Sequence, residues 1–338
     1  MRNTFKFNEG WKFHRGDFKE TNYRAIHANR FKRAEWMKAG NHGISRLGFP
    51  EDTWIDVNLP HDFVVAGEYT PTANAVHGSL PTDVAWYRKT FEIPPEVRDQ
   101  RIHIEFDGIY RNATIWINGH LAGSHLSGYT SFSLDVTELC DPNECNAIAI
   151  RCDAQEFELW SYEGGGIYRD VRLVVSDELH VPYSGTYIRS TFPDETDLTK
   201  VQIELQAKIH NAGREDREAL VIFKIFENTG DYPVYESSQS SQIAAGTKTA
   251  INHHLDLAQP KLWSVTSPHL YRLETHIEVE GKSMDVYHSQ FGLRSIRFDA
   301  DKGCFLNGES IKLKGVCNHQ DHAGVGTAIL PTVDEWRL

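Results

Sequence analysis

Two stretches of this 338-residue chain concentrate side chains able to support chemistry. The first is Glu158-Leu159-Trp160-Ser161-Tyr162-Glu163, followed at once by Gly164-Gly165-Gly166. Aromatic rings offer apolar faces, and an ionised carboxylate offers strong hydrogen-bond acceptors. Packing within the loop is the alternative use of Trp160 and Tyr162. The second stretch is Asn318-His319-Gln320-Asp321-His322, where imidazoles and a carboxylate alternate. Further upstream, His61-Asp62 follows Leu59-Pro60. There an Asx-turn, or a buried pair with an arginine such as Arg169, is the expected role of Asp62.

Metal and redox chemistry have little support. The 17 histidines are scattered without ligand spacing, and the five cysteines include no Cys-x-x-Cys pair. Free thiols, no metal and no cofactor are expected. Thirty-five basic against 47 acidic side chains give a net charge of -12. That balance argues against nucleic-acid partners, which need a basic footprint. The densest basic stretch, Arg24 to Lys38, reads as a solvated face. Mean hydropathy is -0.47, and no apolar run reaches the length of a membrane-spanning helix, so no membrane partner is expected. Met1-Arg2-Asn3-Thr4-Phe5 lacks the apolar stretch of a signal peptide. A cytoplasmic location is expected, or a periplasmic or secreted one if a signal was removed.

The elements that must position these residues read as short strands. Val84 to Ile93 is rich in aromatics and ends at Pro94-Pro95, Ile102 to Phe106 alternates, and Thr114 to Ile117 runs into Asn118-Gly119, a strong hairpin signal. Ala147 to Arg151 and Val171 to Val175 follow. After a break near Val181-Pro182, Val201 to Ile209 alternates over nine residues, and Leu220 to Phe226, Tyr271 to Glu280 and Asp285 to Phe291 continue the series. The fold class is therefore all-β, a β-sandwich followed by an immunoglobulin-like sandwich. Trp263, ahead of Pro268, is expected in the second core. The expected boundaries are 1–181 with an insertion at about 17–48, then 182–297, then 298–338. Glu20 to Ala39 has no Pro or Gly and is read as a helix in the insertion. In the last segment Phe305 to Gly308 is a hairpin turn, Ile311 to Cys317 a strand, and Thr332 the N-cap of a helix with Glu335 three residues on. The tetrads Gly108-Ile109-Tyr110-Arg111 and Gly166-Ile167-Tyr168-Arg169 echo each other, but their flanks differ, so no repeat is inferred.

An ordered set of motifs resembles glycoside hydrolase family 2, the β-galactosidase and β-glucuronidase family. Leu59-Pro60-His61-Asp62-Phe63 is similar to its Leu-Pro-His-Asp-Trp signature, and Ala85-Trp86-Tyr87-Arg88-Lys89-Thr90-Phe91 to its sandwich strand. Phe106-Asp107-Gly108 through Ile117-Asn118-Gly119, Gly165 to Val171, Leu262 to Tyr271, Phe291 to Arg294 and Leu306 to Val316 follow in family order. The set covers nearly the whole chain.

The resemblance implies a jelly-roll sugar-binding domain, an immunoglobulin-like sandwich, and the first strand only of a (β/α)₈ barrel. Barrel active sites lie at the C-terminal ends of the strands. His319 occupies the place of a family histidine that contacts the sugar, although Asn318 and Gln320 depart from the family's Arg and Glu. His319 and Asp321 are therefore expected substrate-binding residues, with Trp160, Tyr162 and Glu163 on the jelly-roll side. Some members hold a cation through an Asp in that loop; Trp160 stands there, so no such metal is expected. A retaining glycosidase needs two carboxylates, about 5–5.5 Å apart, which the family takes from later barrel strands. Asn143-Glu144 is similar to the family's Asn-Glu pair but lies in a turn of the first sandwich and is rejected, so no catalytic residue is assigned.

The implied function is the N-terminal portion of a retaining exo-β-glycosidase, β-galactosidase-like, with a β-galactoside as partner. The resemblance leaves open a homo-oligomeric full-length form. A β-glucuronidase or β-mannosidase type relative, a non-catalytic carbohydrate-binding module, and a structural domain pair are the rival readings.

Overall fold

A computed structural model describes residues 1–18, 43–156, 158, 161–194 and 196–337. Trp160, Arg24 to Lys38 and the helix expected over Glu20 to Ala39 lie outside the described residues, as does most of the insertion expected at 17–48. The chain divides into two compact units, Thr4–Val175 with Asn318–Leu338, and Met1–Asn3 with Ser176–Cys317.

The first unit is a jelly-roll sandwich. Its strands are β1 (Asn3–Lys6), β2 (Trp11–Arg15), β3 (Ile55–Val57), β4 (Val84–Phe91), β5 (Arg101–Phe106), β6 (Ala113–Ile117), β7 (His120–His125), β8 (Phe132–Asp135), β9 (Asn146–Asp153) and β10 (Val171–Ser176). They form a four-stranded sheet in the order β1-β10-β5-β8 and a six-stranded sheet in the order β3-β2-β4-β9-β6-β7. The alternation read in Ile102 to Phe106 sends Ile102, Ile104 and Phe106 inward, to meet Phe13, Tyr87, Ile115 and Ile150 of the facing sheet. Each such side chain, fully buried, contributes about 1.5–3 kcal/mol. Asn118 and Gly119 both take positive φ, 50° and 89°, which suits the two-residue turn joining β6 to β7. A second aromatic cluster, with Trp54, Trp86 and Trp116 buried, packs apart from this core.

The echoing tetrads are partners in space. Tyr110 and Gly166 exchange both backbone hydrogen bonds, at 2.8 and 2.7 Å. A side chain at Gly108 would press on the ring of Tyr168, 2.9 Å away.

The second unit is an immunoglobulin-like sandwich. It is built from β11 (Leu179–His180), β12 (Thr186–Thr191), β13 (Lys200–Asn211), β14 (Arg217–Glu227), β15 (Pro233–Ile243), β16 (Lys248–Ala258), β17 (Tyr271–Val279) and β18 (Lys282–Phe291). One sheet is ordered β15-β14-β17-β18; in the other, β13 pairs with β11, β12 and β16. The nine-residue alternation lies within β13, where Val201, Ile203, Leu205, Ala207 and Ile209 are buried and Gln202, Glu204, Gln206 and Lys208 face outward. Trp263 is not part of the core. It is half-buried, with the Arg294 guanidinium 5.1 Å from its ring centre, and it pairs with Pro268 in an isolated bridge outside the strands.

The hairpins β19 (Ile296–Asp299), β20 (Gly303–Leu306) and β21 (Glu309–Ile311) turn at Asn307-Gly308 as expected. The strand expected over Ile311 to Cys317 is not formed: β21 ends at Ile311, and residues 312–317 are exposed without strand pairing. A barrel strand needs parallel neighbours on both sides, and none is present among the described residues. The terminal helix α1 (Pro331–Arg337) starts one residue before Thr332. Pro331 fits the first helical turn, where a missing N–H costs nothing.

Candidate functional site

The local folding around Asp62 begins with backbone pairing. The amides of His61 and Phe63 donate to Ile167 and Gly165 carbonyls at 2.8 and 3.0 Å. This binds the Leu59–Phe63 segment to the glycine run and turns the Asp62 side chain between them. Asp62 is 4% exposed. Its Oδ1 accepts from the Val64 amide at 2.9 Å, the expected Asx-turn, and from the Gly165 amide at 3.1 Å. Its Oδ2 accepts from the Tyr162 hydroxyl at 2.8 Å, the Thr327 amide at 2.8 Å and the Thr327 hydroxyl at 3.1 Å. The alternative pairing with Arg169 is not formed; that guanidinium lies over the Tyr168 ring at 5.1 Å. Five neutral donors take the place of a cation. A carboxylate has about four lone-pair sites, so Asp62 has no acceptor capacity left for a substrate and is in no position to act as nucleophile.

Glycine makes room for this centre. A side chain at Gly164 or Gly326 would collide with the Asp62 carboxylate, and both residues have positive φ, 72° and 59°. Gly166 lies as closely against the Tyr87 hydroxyl, which hydrogen-bonds the His61 ring at 2.8 Å. Burial raises the pKa of Asp62 against the downward pull of its donors from Thr327, Tyr162 and Val64. Burial also holds His61 down at about 4, so its ring is neutral at physiological pH.

The expected site residues separate into two groups. Tyr162 is half-buried and commits its hydroxyl to Asp62. Burial, then the charge of Asp62 and to a smaller extent that of Asp321, raises its phenol pKa. Gln320 Nε2 donates to the Tyr162 carbonyl at 3.4 Å. Residues 318–327 are thus brought against the 161–165 loop, and Asp321 with them. His322 and Gly326 close the segment through paired backbone bonds, each 2.9 Å. Arg337 of α1 donates to the Asp321 carbonyl at 3.4 Å and to the Asn318 side chain. His319 is exposed on this segment.

Glu163 sits in different surroundings from Tyr162. It is 2% exposed. Its carboxylate accepts from the Tyr129 hydroxyl at 3.1 Å and from the Glu158 amide at 3.0 Å, with His77 Nε2 at 3.8 Å. The carboxylate, after burial, drives up the phenol pKa of both Tyr129 and Tyr110. Thr327 and Gly326 escaped the sequence reading, since a threonine and a glycine in a loop carry no signal. The run Gly164-Gly165-Gly166 was the available clue that something bulky must fit closely against this backbone. Among the described residues no group of three or more His, Cys, Asp or Glu side chains could hold a metal ion.

Comparison with known proteins supplies the remaining context. The family model described as "Glycosyl hydrolases family 2" matches residues 183–294, and "Glycosyl hydrolase 2 galactose-binding domain-like" matches residues 73–161. A beta-galactosidase, BoGH2A, of Bacteroides ovatus is 32% identical over 96% of this chain and 35% of its own length. A beta-glucuronidase of Formosa agariphila is 26% identical over 97% of this chain and 33% of its own length. The crystal structure of a glycosyl hydrolase family 2 member from Bacteroides cellulosilyticus superposes with a TM-score of 0.83 at 28% identity, covering 99% of this chain and 42% of that one. The chain therefore spans about a third of the length of the curated relatives it matches.

Proposed function

We propose that this chain, which belongs to glycoside hydrolase family 2, is the non-catalytic N-terminal portion of a retaining exo-β-glycosidase acting on terminal β-galactosides. In this reading the two sandwiches are scaffold, and the 161–165 loop with residues 318–322 forms one side of the sugar pocket. In the same reading the essential pair of carboxylates, nucleophile and acid/base, comes from a part of the enzyme outside these two sandwiches. The observation that carries the reading is the convergence of Tyr162 and Thr327 on Asp62, which joins the jelly-roll loop to the segment bearing His319 and Asp321.

A β-glucuronidase is the second reading, favoured by the likeness to the Formosa agariphila protein. Joining this chain to its downstream coding sequence and comparing kcat/KM for nitrophenyl β-galactoside and β-glucuronide decides between them. A preference for the galactoside supports the first reading. A preference for the glucuronide moves the assignment to the second. Hydrolysis of neither overturns both.

A further inference from the structure

The Asp62 centre is more elaborate than an Asx-turn requires. An Asx-turn needs one oxygen and one amide. Here Oδ1 serves that turn and Gly165, while all three contacts of Oδ2 go to Tyr162 and Thr327, and Thr327 is 265 positions away in sequence. The space is kept free on both sides by Gly164 and Gly326. The two oxygens therefore divide the work, one holding the carboxylate in its own loop and the other gripping a distant segment. We propose that Asp62 is a positioning residue whose Oδ2 latches residues 318–327 onto the 161–165 loop and thereby sets where His319 and Asp321 stand. The proposal rests on the sugar-pocket reading for its purpose, but the latch itself is testable without sugar.

Asp62→Asn separates the two halves. Asn can keep its oxygen toward Val64 and Gly165, but its amide nitrogen then faces the Thr327 N–H and cannot accept from it. Hydrogen exchange on the intact chain should show the Thr327 amide exchanging roughly 10- to 100-fold faster, the size expected for loss of a bond to a charged acceptor, while β4 and β9 amides stay protected. The His319 imidazole signal, followed by NMR, should shift in the same variant, which a merely structural role for Asp62 would not cause. Unchanged Thr327 exchange together with an unmoved His319 signal overturns the proposal. If Asp62→Asn does not fold, Tyr162→Phe and Thr327→Val each remove one donor to Oδ2. Faster exchange over 320–327 in both supports the latch, and wild-type exchange in both overturns it. Galactose titration separates the two ideas. A chain whose latch behaves as stated but whose His319 signal never responds to galactose keeps the latch and loses the sugar-pocket reading.

Discussion

Tyr129 donates its hydroxyl to Glu163 at 3.1 Å, deep enough that the carboxylate is 2% exposed. The same carboxylate takes the Glu158 amide and lies 3.8 Å from His77. Glu163 thus ties together three stretches of the jelly-roll. Glu163→Ala should destabilise the chain by about 2–4 kcal/mol, because it removes the acceptor shared by the Tyr129 hydroxyl and the Glu158 amide and empties the space of a buried side chain. Tyr129→Phe, which removes one donor and leaves the carboxylate otherwise bonded, should cost about 1–2 kcal/mol. Urea denaturation of both variants checks the order; an equal or smaller loss in Glu163→Ala refutes it.

Stability should fall on mild acidification through His61. Its folded pKa is about 4, below the ordinary 6.5, because burial disfavours the imidazolium. A depressed folded value means the unfolded chain binds the extra proton first. The contribution is therefore complete above pH 6.5 and is lost as pH falls from there to about 4. The whole gap is worth at most about 3 kcal/mol. Urea midpoints at pH 7.5 and pH 5 should differ in wild type, and the difference should shrink in His61→Gln. An identical pH dependence in the variant would show that His61 contributes nothing to it.

Gly326→Ala and Gly43→Ala make a matched contrast. A methyl at Gly326 meets the Asp62 carboxylate and an unfavourable φ of 59°, whereas at Gly43 nothing lies within 4 Å. The first should cost about 2–4 kcal/mol and the second under about 1 kcal/mol. Thermal melts of the two variants test this, and comparable midpoints would contradict the close fit around Asp62.

Much of the fold was legible because strand patterns are local. The period-two run inside β13 specifies its buried face by itself, and Asn118-Gly119 and Asn307-Gly308 specify their turns through positive φ. The site was legible only in part. Tyr162 and residues 318–322 could be placed through motif order, but the bond joining their neighbourhoods spans positions 62 and 327. No local pattern encodes a contact of that separation. Trp263 misled for the related reason that a large aromatic residue in a connecting segment does not reveal whether it faces core or rim. The run Ile311 to Cys317 reads as a strand because its composition suits one, yet pairing depends on neighbours, and none is present among the described residues.

In the proposed function this chain carries the sugar-facing scaffold, and the catalytic carboxylates lie elsewhere in the enzyme. Incubating the purified chain with nitrophenyl β-galactoside, beside the same chain joined to its downstream sequence, tests it directly. No nitrophenol is expected from the chain alone, and sustained release is expected from the joined form. Sustained turnover by the chain alone, persisting after repeated purification, would contradict it.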